Sequence, residues 1–149
     1  MKIVRFKKTH PGAVIPFKKY ASDFCYDCVA TSRVEIYPGV YKYGLGFALQ
    51  VIRDENVSPD TRIAFDIRPR SSIYNTGMIL SNSVGTVDEN YTNEISAIFY
   101  HVAKDLPPYE VGDRVCQLAV HATSDIAFVE VDELEATDRG LNGFGSTGK

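Results

Sequence analysis

Apolar residues recur along this chain in short runs, separated by polar positions and closed off by clusters of Gly, Pro, Asn and Asp. Val, Ile, Tyr and Phe dominate the runs, and these side chains suit a pleated, half-buried surface. The pattern predicts strands over 2–6, 33–37, 45–52, 62–67, 77–81, 94–101, 114–121 and 126–131. The stretches 45–52 and 114–121 alternate imperfectly, as strands do when one face is buried and the other crowded. No long window carries apolar residues at helical spacing with caps at both ends; 70–74 and 132–137 are each predicted to hold a helical turn or two. Without repeats or a low-complexity linker, the expectation is one all-β domain over 1–138. Beyond it, Gly140, Gly143, Gly145 and Gly148 crowd a short segment. Glycine-rich backbone has high entropy when free, so 139–149 is expected to be a mobile arm until something orders it.

Composition narrows the class. At 149 residues and 16.6 kDa the chain is the length of one domain, and a globule of that size buries roughly 70% of its unfolded surface. It can hold a core without a disulfide or structural metal. Sixteen Lys+Arg against nineteen Asp+Glu give a net charge of −3, which argues against a sequence-independent nucleic-acid binder. A polyanionic ligand would have to be held locally. The apolar runs fall far short of the roughly 20 residues that cross a bilayer, so no membrane association is expected. The charged first residues, Met1 to Lys8, do not read as a signal peptide. Three cysteines, Cys25, Cys28 and Cys116, cannot all pair with one another, and a reducing cytoplasm is the simplest setting for them.

Candidate chemistry is scattered over several segments. The tail Gly143 to Lys149 satisfies the phosphate-loop pattern Gly-x-x-x-x-Gly-Lys, but that loop works by opening a helix after a strand, and nothing here supplies the helix. What survives is local: glycines let backbone amides crowd an anion, and Arg139, Ser146 and Thr147 add donors. Cys25-Tyr-Asp-Cys28 has the Cys-x-x-Cys form without a helix start or a second pair of ligands, so its thiols are read as packing residues. No Gly-x-Ser-x-Gly elbow is present. Asp88 sits between two apolar-rich runs in a hairpin-like segment, and Arg68-Pro-Arg-Ser-Ser72 forms a charged loop. By default these are a turn acid and a surface loop; their order along the chain changes that reading.

Taken in order, five stretches resemble the five motifs of the trimeric dUTPase family. They are Cys25-Tyr-Asp-Cys-Val-Ala30, Pro69-Arg-Ser-Ser72, the run from Asn82 through Asp88 and Tyr91 to Glu94-Ile95, Gly112-Asp-Arg-Val-Cys-Gln-Leu118, and the tail from Arg139 through Gly143-Phe-Gly-Ser-Thr-Gly148. Departures are modest: Cys25 and Cys28 stand for Gly and Leu, Ser72 for Gly, and Thr92-Asn93 for the pair that follows the tyrosine. The resemblance implies a distorted, jelly-roll-like β barrel, assembled as a homotrimer whose C-terminal arms exchange to close over sites between subunits.

It also implies hydrolysis of dUTP to dUMP and pyrophosphate, with water attacking the α-phosphorus in line, a reaction that limits uracil in DNA and supplies dUMP for thymidylate synthesis. Asp88 is the expected general base. Arg70, Ser71, Ser72, Gln117, Arg139, Ser146 and Thr147 are the expected phosphate donors, Mg²⁺ the cofactor, and Asp27 its contact through water. The uracil reader is implied to be the hairpin backbone around Gly85 and Val87 with Asn82, while Tyr91 lies beneath the sugar. Phe144 and Gly145 belong to the arm, with Phe144 stacking on the base. Asp113 and Arg114 are read as a structural ion pair or turn. The rival readings are a dCTP deaminase-like enzyme, which generally lacks the terminal arm, and a dUTP-gated partner-binding protein on the same fold.

Overall fold

The computed structural model describes residues 4–53, 55 and 57–142. Ten strands, all paired antiparallel, fall into three sheets. They are β1 (Val4–Lys8), β2 (Tyr26–Val29), β3 (Ser32–Tyr37), β4 (Val40–Gly44), β5 (Phe47–Val51), β6 (Thr61–Pro69), β7 (Met78–Leu80), β8 (Gly85–Asp88), β9 (Ser96–His101) and β10 (Arg114–Ser124). The orders are β1-β5, β2-β10-β6-β8 and β3-β4-β9-β7. No sheet closes on itself among the described residues, so the jelly-roll-like wall is made of three separate ladders.

All three sheets contribute side chains to the core. Its most deeply buried large side chains are Tyr43, Phe47, Phe65 and Phe99, with Leu45, Ile95 and Val115 between them. Tyr43, Phe99 and Tyr109 meet edge to face, at 5.6 to 6.3 Å between ring centres, a geometry favoured by the ring quadrupoles. Tyr43 satisfies its buried hydroxyl by donating to the Tyr109 carbonyl at 2.7 Å. Cys28 and Cys116 are register partners across β2 and β10, both fully buried. The hydrogen bond with the neighbouring Cys116 thiol, and then burial, push the Cys28 thiol well up, which keeps it protonated and unreactive. Cys28 packs as expected, whereas Cys25 is only partly buried and lies outside the core.

Where prediction and structure part, pairing is the cause. The strands β2, β4 and β8 were not foreseen. β2 and β8 are only four residues long and are held by pairing with β10 and β6. β4, whose run Val40-Tyr-Lys-Tyr-Gly44 is broken by a lysine and ends in glycine, is flanked by β3 and β9 on both sides. The predicted turn at 70–74 is a 3₁₀ helix over Ser71–Thr76, closed by Gly77 at φ 62°. The predicted strand at 126–131 is absent, and so is the turn at 132–137. Both flanks of β10 are taken by β2 and β6, and 126–131 pairs with none of the edges that the sheets leave open among the described residues. Phe128 is 93% exposed and Leu134 89%.

Candidate functional site

Two constellations emerge, and they occupy different parts of the molecule. The first is built on β8 and the turn after it. β8 is an edge strand whose last register pair is Asp88 with Ala64. The chain then turns at once, the Tyr91 amide donating to the Asp88 carbonyl at 3.0 Å. Before β8, Ser83 takes φ 60° and the Val84 amide donates to the Asn82 carbonyl at 2.6 Å. This tight bend folds Asn82 back over Gly85, where a Cβ would stand 2.9 Å from the Asn82 amide nitrogen. A Cβ there would press on the end of the exposed Asn82 side chain, which would have to shift; the torsion does not demand glycine.

These bends open a pocket of about 360 Å³, within the range of small-molecule sites. Asn82, Gly85, Val87, Asp88 and Tyr91 all line it. Tyr91 donates its hydroxyl to the Glu94 carbonyl at 3.1 Å, which fixes the ring at the rim. The Asp88 carboxylate is exposed and takes no hydrogen bond from another described residue, so it keeps its acceptor capacity for a ligand or a water.

The second constellation gathers around Asp27, a carboxylate only 7% exposed. Its Oδ1 accepts from Arg70 Nε and from Gln117 Nε2, each at 3.2 Å, and its Oδ2 accepts from Arg114 Nη1 at 2.8 Å. The register explains the convergence, because Asp27 and Gln117 are direct partners across β2 and β10. Arg70 follows the last residue of β6 and also donates to Ser72 Oγ at 3.2 Å. Two guanidiniums share one carboxylate, so each keeps N–H groups free to meet an anion. Tyr109 borders the same cleft. Its buried hydroxyl has no partner among the described residues, and burial raises its pKa.

The structure therefore brings Asn82, Gly85, Val87, Asp88 and Tyr91 together, and separately Asp27, Arg70, Ser72 and Gln117. Ser71 opens the 3₁₀ helix beside the second group and is exposed. Arg139 lies apart, its Nε donating to the Asn142 carbonyl at 3.0 Å in an exposed turn. Phe144, Gly145, Ser146 and Thr147 lie outside the described residues. The sequence reading took Asp113 and Arg114 as an ion pair or a turn; the turn is present, with Asp113 Oδ2 accepting the Glu110 amide, but Arg114 pairs with Asp27 and not with Asp113. Arg114 is thus a member of the anion-facing cluster, which adjacency in sequence concealed. Lys42, which also lines the pocket, was missed as well, because only the β4–β9 pairing carries it there.

An acidic pocket rim and a separate, preorganised guanidinium cluster on an all-antiparallel frame define a protein built to handle a small phosphorylated ligand. The chain belongs to the dUTPase family: a family model described as dUTPase matches residues 12–148. The deoxyuridine 5′-triphosphate nucleotidohydrolase of Helicobacter pylori (strain Shi470) is 33% identical over 149 residues, covering 97% of this chain and 96% of that one. Among solved structures, the Staphylococcus bacteriophage 80alpha dUTPase with dUPNHPP superposes with TM-score 0.77 at 18% identity, over 99% of both chains. A mutant dUTPase from phage phi11 of S. aureus, described for its coordination of a structural Mg(II) ion, superposes with TM-score 0.68 at 14% identity, over 90% of this chain and 99% of that one.

Proposed function

We propose that this protein hydrolyses dUTP to dUMP and pyrophosphate, in sites shared between copies of the chain. The carrying observation is the pocket on the β8 turn, which presents Asp88 and Tyr91 with a single lysine, Lys42, and no guanidinium. The guanidinium cluster lies elsewhere on the same chain. A nucleoside half-site and a phosphate half-site on different faces suit an assembly in which one copy's Asp88 meets a neighbour's Arg70, Arg114 and Gln117. The exposed apolar segment 126–134 supports such an assembly, since side chains such as Phe128 and Val129 lack cover within the chain. The family's homotrimer, with 139–149 closing over a site built by other copies, is the form adopted here.

In that site Asp88 accepts a proton from the attacking water, a role worth about 10²–10⁴ in rate. No other described residue hydrogen-bonds its carboxylate, which leaves it able to do so. Arg70, Ser71, Ser72, Gln117, Arg139, Ser146 and Thr147 place the triphosphate and spread its charge, the main source of catalysis in phosphoryl displacements. The Gly85–Tyr91 backbone, including Val87, and Asn82 read the uracil edge; a base with the wrong donor pattern leaves buried polar groups unpaired. Tyr91 excludes a 2′-hydroxyl, and Phe144, carried by Gly145 and its neighbours, closes over the base.

Magnesium is the implied cofactor. No group of three His, Cys, Asp or Glu side chains among the described residues forms a cage for it. That fits a cation carried in on phosphate oxygens, because Mg²⁺ keeps several waters and takes few protein ligands. Asp27 spends three acceptor sites on Arg70, Gln117 and Arg114, out of about four on a carboxylate, so it fits a contact through one water. When bound, the metal neutralises charge on the phosphate oxygens. The free thiols Cys25, Cys28 and Cys116 suit a reducing cytoplasm.

The test is pyrophosphate release from each deoxynucleoside triphosphate and from UTP, with and without Mg²⁺. Turnover confined to dUTP is expected, and Asp88→Asn should lose most of it while keeping dUTP affinity within about tenfold. Mixing inactive Asp88→Asn with inactive Arg70→Ala subunits should restore part of the activity, because some shared sites then hold both residues. Ammonia release from dCTP, or full activity in a monomer at high dilution, overturns the reading.

A further inference from the structure

Asp88 leaves the sheet as it enters its own turn, so its position depends on whatever holds the chain just past the ladder. Four contacts converge there. Arg53 grips Glu89 with a two-pronged ion pair, Nε to Oε1 and Nη2 to Oε2, both at 2.7 Å. The same Nη2 donates to the Thr61 carbonyl at 2.6 Å, tying the clamp to the first residue of β6. Glu89 Oε2 also accepts the Ile63 amide at 3.0 Å. β6 residues from Ala64 to Ile67 are paired with β8, and Ile63 is the next along. The Glu89 carboxylate therefore takes the place that a strand carbonyl would fill, prolonging the ladder by one step with a side chain. Fork-to-fork pairing of guanidinium and carboxylate fixes orientation as well as distance. The Arg53 guanidinium beside it holds the Glu89 carboxyl below its ordinary range.

We infer that Arg53 and Glu89 are positioning residues for Asp88: they anchor the chain on its far side, so that the carboxylate enters the shared site at a fixed distance from the reacting phosphorus. Neither side chain lines the pocket that holds Tyr91, and neither is among the proposed substrate contacts. This rests on the proposed role of Asp88. The Asp88 side chain takes no hydrogen bond from another described residue, so among these residues its aim is set by its backbone. On one side that backbone has the Ala64 pairing; on the other it has the Asp88–Tyr91 turn bond and the clamp. A displacement of roughly 1 Å at a reacting group can cost about 10² in rate, so loosening one side should be read in turnover.

The experiment uses the full-length protein in Arg53→Ala, Glu89→Gln, the double variant and Arg53→Lys. Expected is a fall in kcat of about 10- to 100-fold with KM for dUTP moved less than about threefold, a double variant no worse than the poorer single one, and partial recovery in Arg53→Lys, which keeps the charge but not the fork. Hydrogen exchange at the Asn90 and Tyr91 amides should accelerate in the same order, a readout independent of catalysis. Unchanged exchange overturns the inference whatever the rates do. So does kcat within about twofold of the wild type, or multiplicative losses in the double variant. If the wild-type protein does not release pyrophosphate from dUTP, the activity assignment fails, and the exchange data still decide whether the clamp holds the turn.

Discussion

Replacing Asp27 by Asn keeps the shape of the side chain and removes the one charge that organises Arg70, Arg114 and Gln117. The amide oxygen can still accept one bond, but its NH₂ faces donors, so at least one guanidinium loses its partner. Removing one member of a buried ion pair costs about 3–5 kcal/mol. Here the cost is smaller, because the Arg114 side chain is 43% exposed and can turn to water, whereas Arg70 at 20% is more confined. A loss of about 2–3 kcal/mol follows, and for a domain of this length that lowers Tm by about 5–10 °C. The check is thermal unfolding of both proteins at one protomer concentration, because assembly makes Tm concentration-dependent. In parallel, kcat/KM for dUTP should fall by about 10² or more, since the phosphate donors lose their common anchor. A Tm within about 1 °C of the parent, together with kcat/KM within about twofold, would refute the claim that Asp27 organises this cluster.

Gly77 ends the 3₁₀ helix at φ 62°, and a Cβ there would run into the Ala103 carbonyl; Gly77→Ala should cost at least about 1–3 kcal/mol through strain, read as a lower denaturation midpoint. Tyr43 has its pKa pushed up from 10.0 to about 12, chiefly by burial. Above pH 10 the unfolded chain ionises this phenol while the folded one keeps it neutral, so the stability it supports is present below pH 10 and lost as pH rises through about 12. Chemical unfolding across this window should show that loss in the wild type and a smaller one in Tyr43→Phe.

Much of the architecture could be read from patterning. Alternating runs rich in Val, Ile, Tyr and Phe announced strands at β1, β3, β5, β6, β7, β9 and β10, because their apolar faces have to be covered. β2, β4 and β8 escaped notice: β2 and β8 are too short to show an alternating run, Lys42 and the glycine at its end dilute the signal of β4, and neighbouring strands supplied what propensity did not. The run 126–131 misled for the opposite reason. It has strand-forming residues, but a strand exists only where it pairs with an edge, and among the described residues 126–131 pairs with none of those left open.

For the site, the sequence by itself determined the inventory: Asp88 and Tyr91 in one bend, Arg70 beside a serine pair, Gln117 in a strand, and glycines at Gly77 and Gly85 where side chains would collide. Order along the chain carried the family resemblance. Tertiary structure alone decided the partnerships. Asp27 sits 87 residues from Arg114 and 90 from Gln117, and only the β2–β10 pairing brings them together; Arg53 reaches Glu89 across 36 residues for the same kind of reason. Side-chain chemistry is written locally, but hydrogen bonds and ion pairs act over a few ångströms, so which groups share a charge is settled by how strands align and not by where residues fall in the chain.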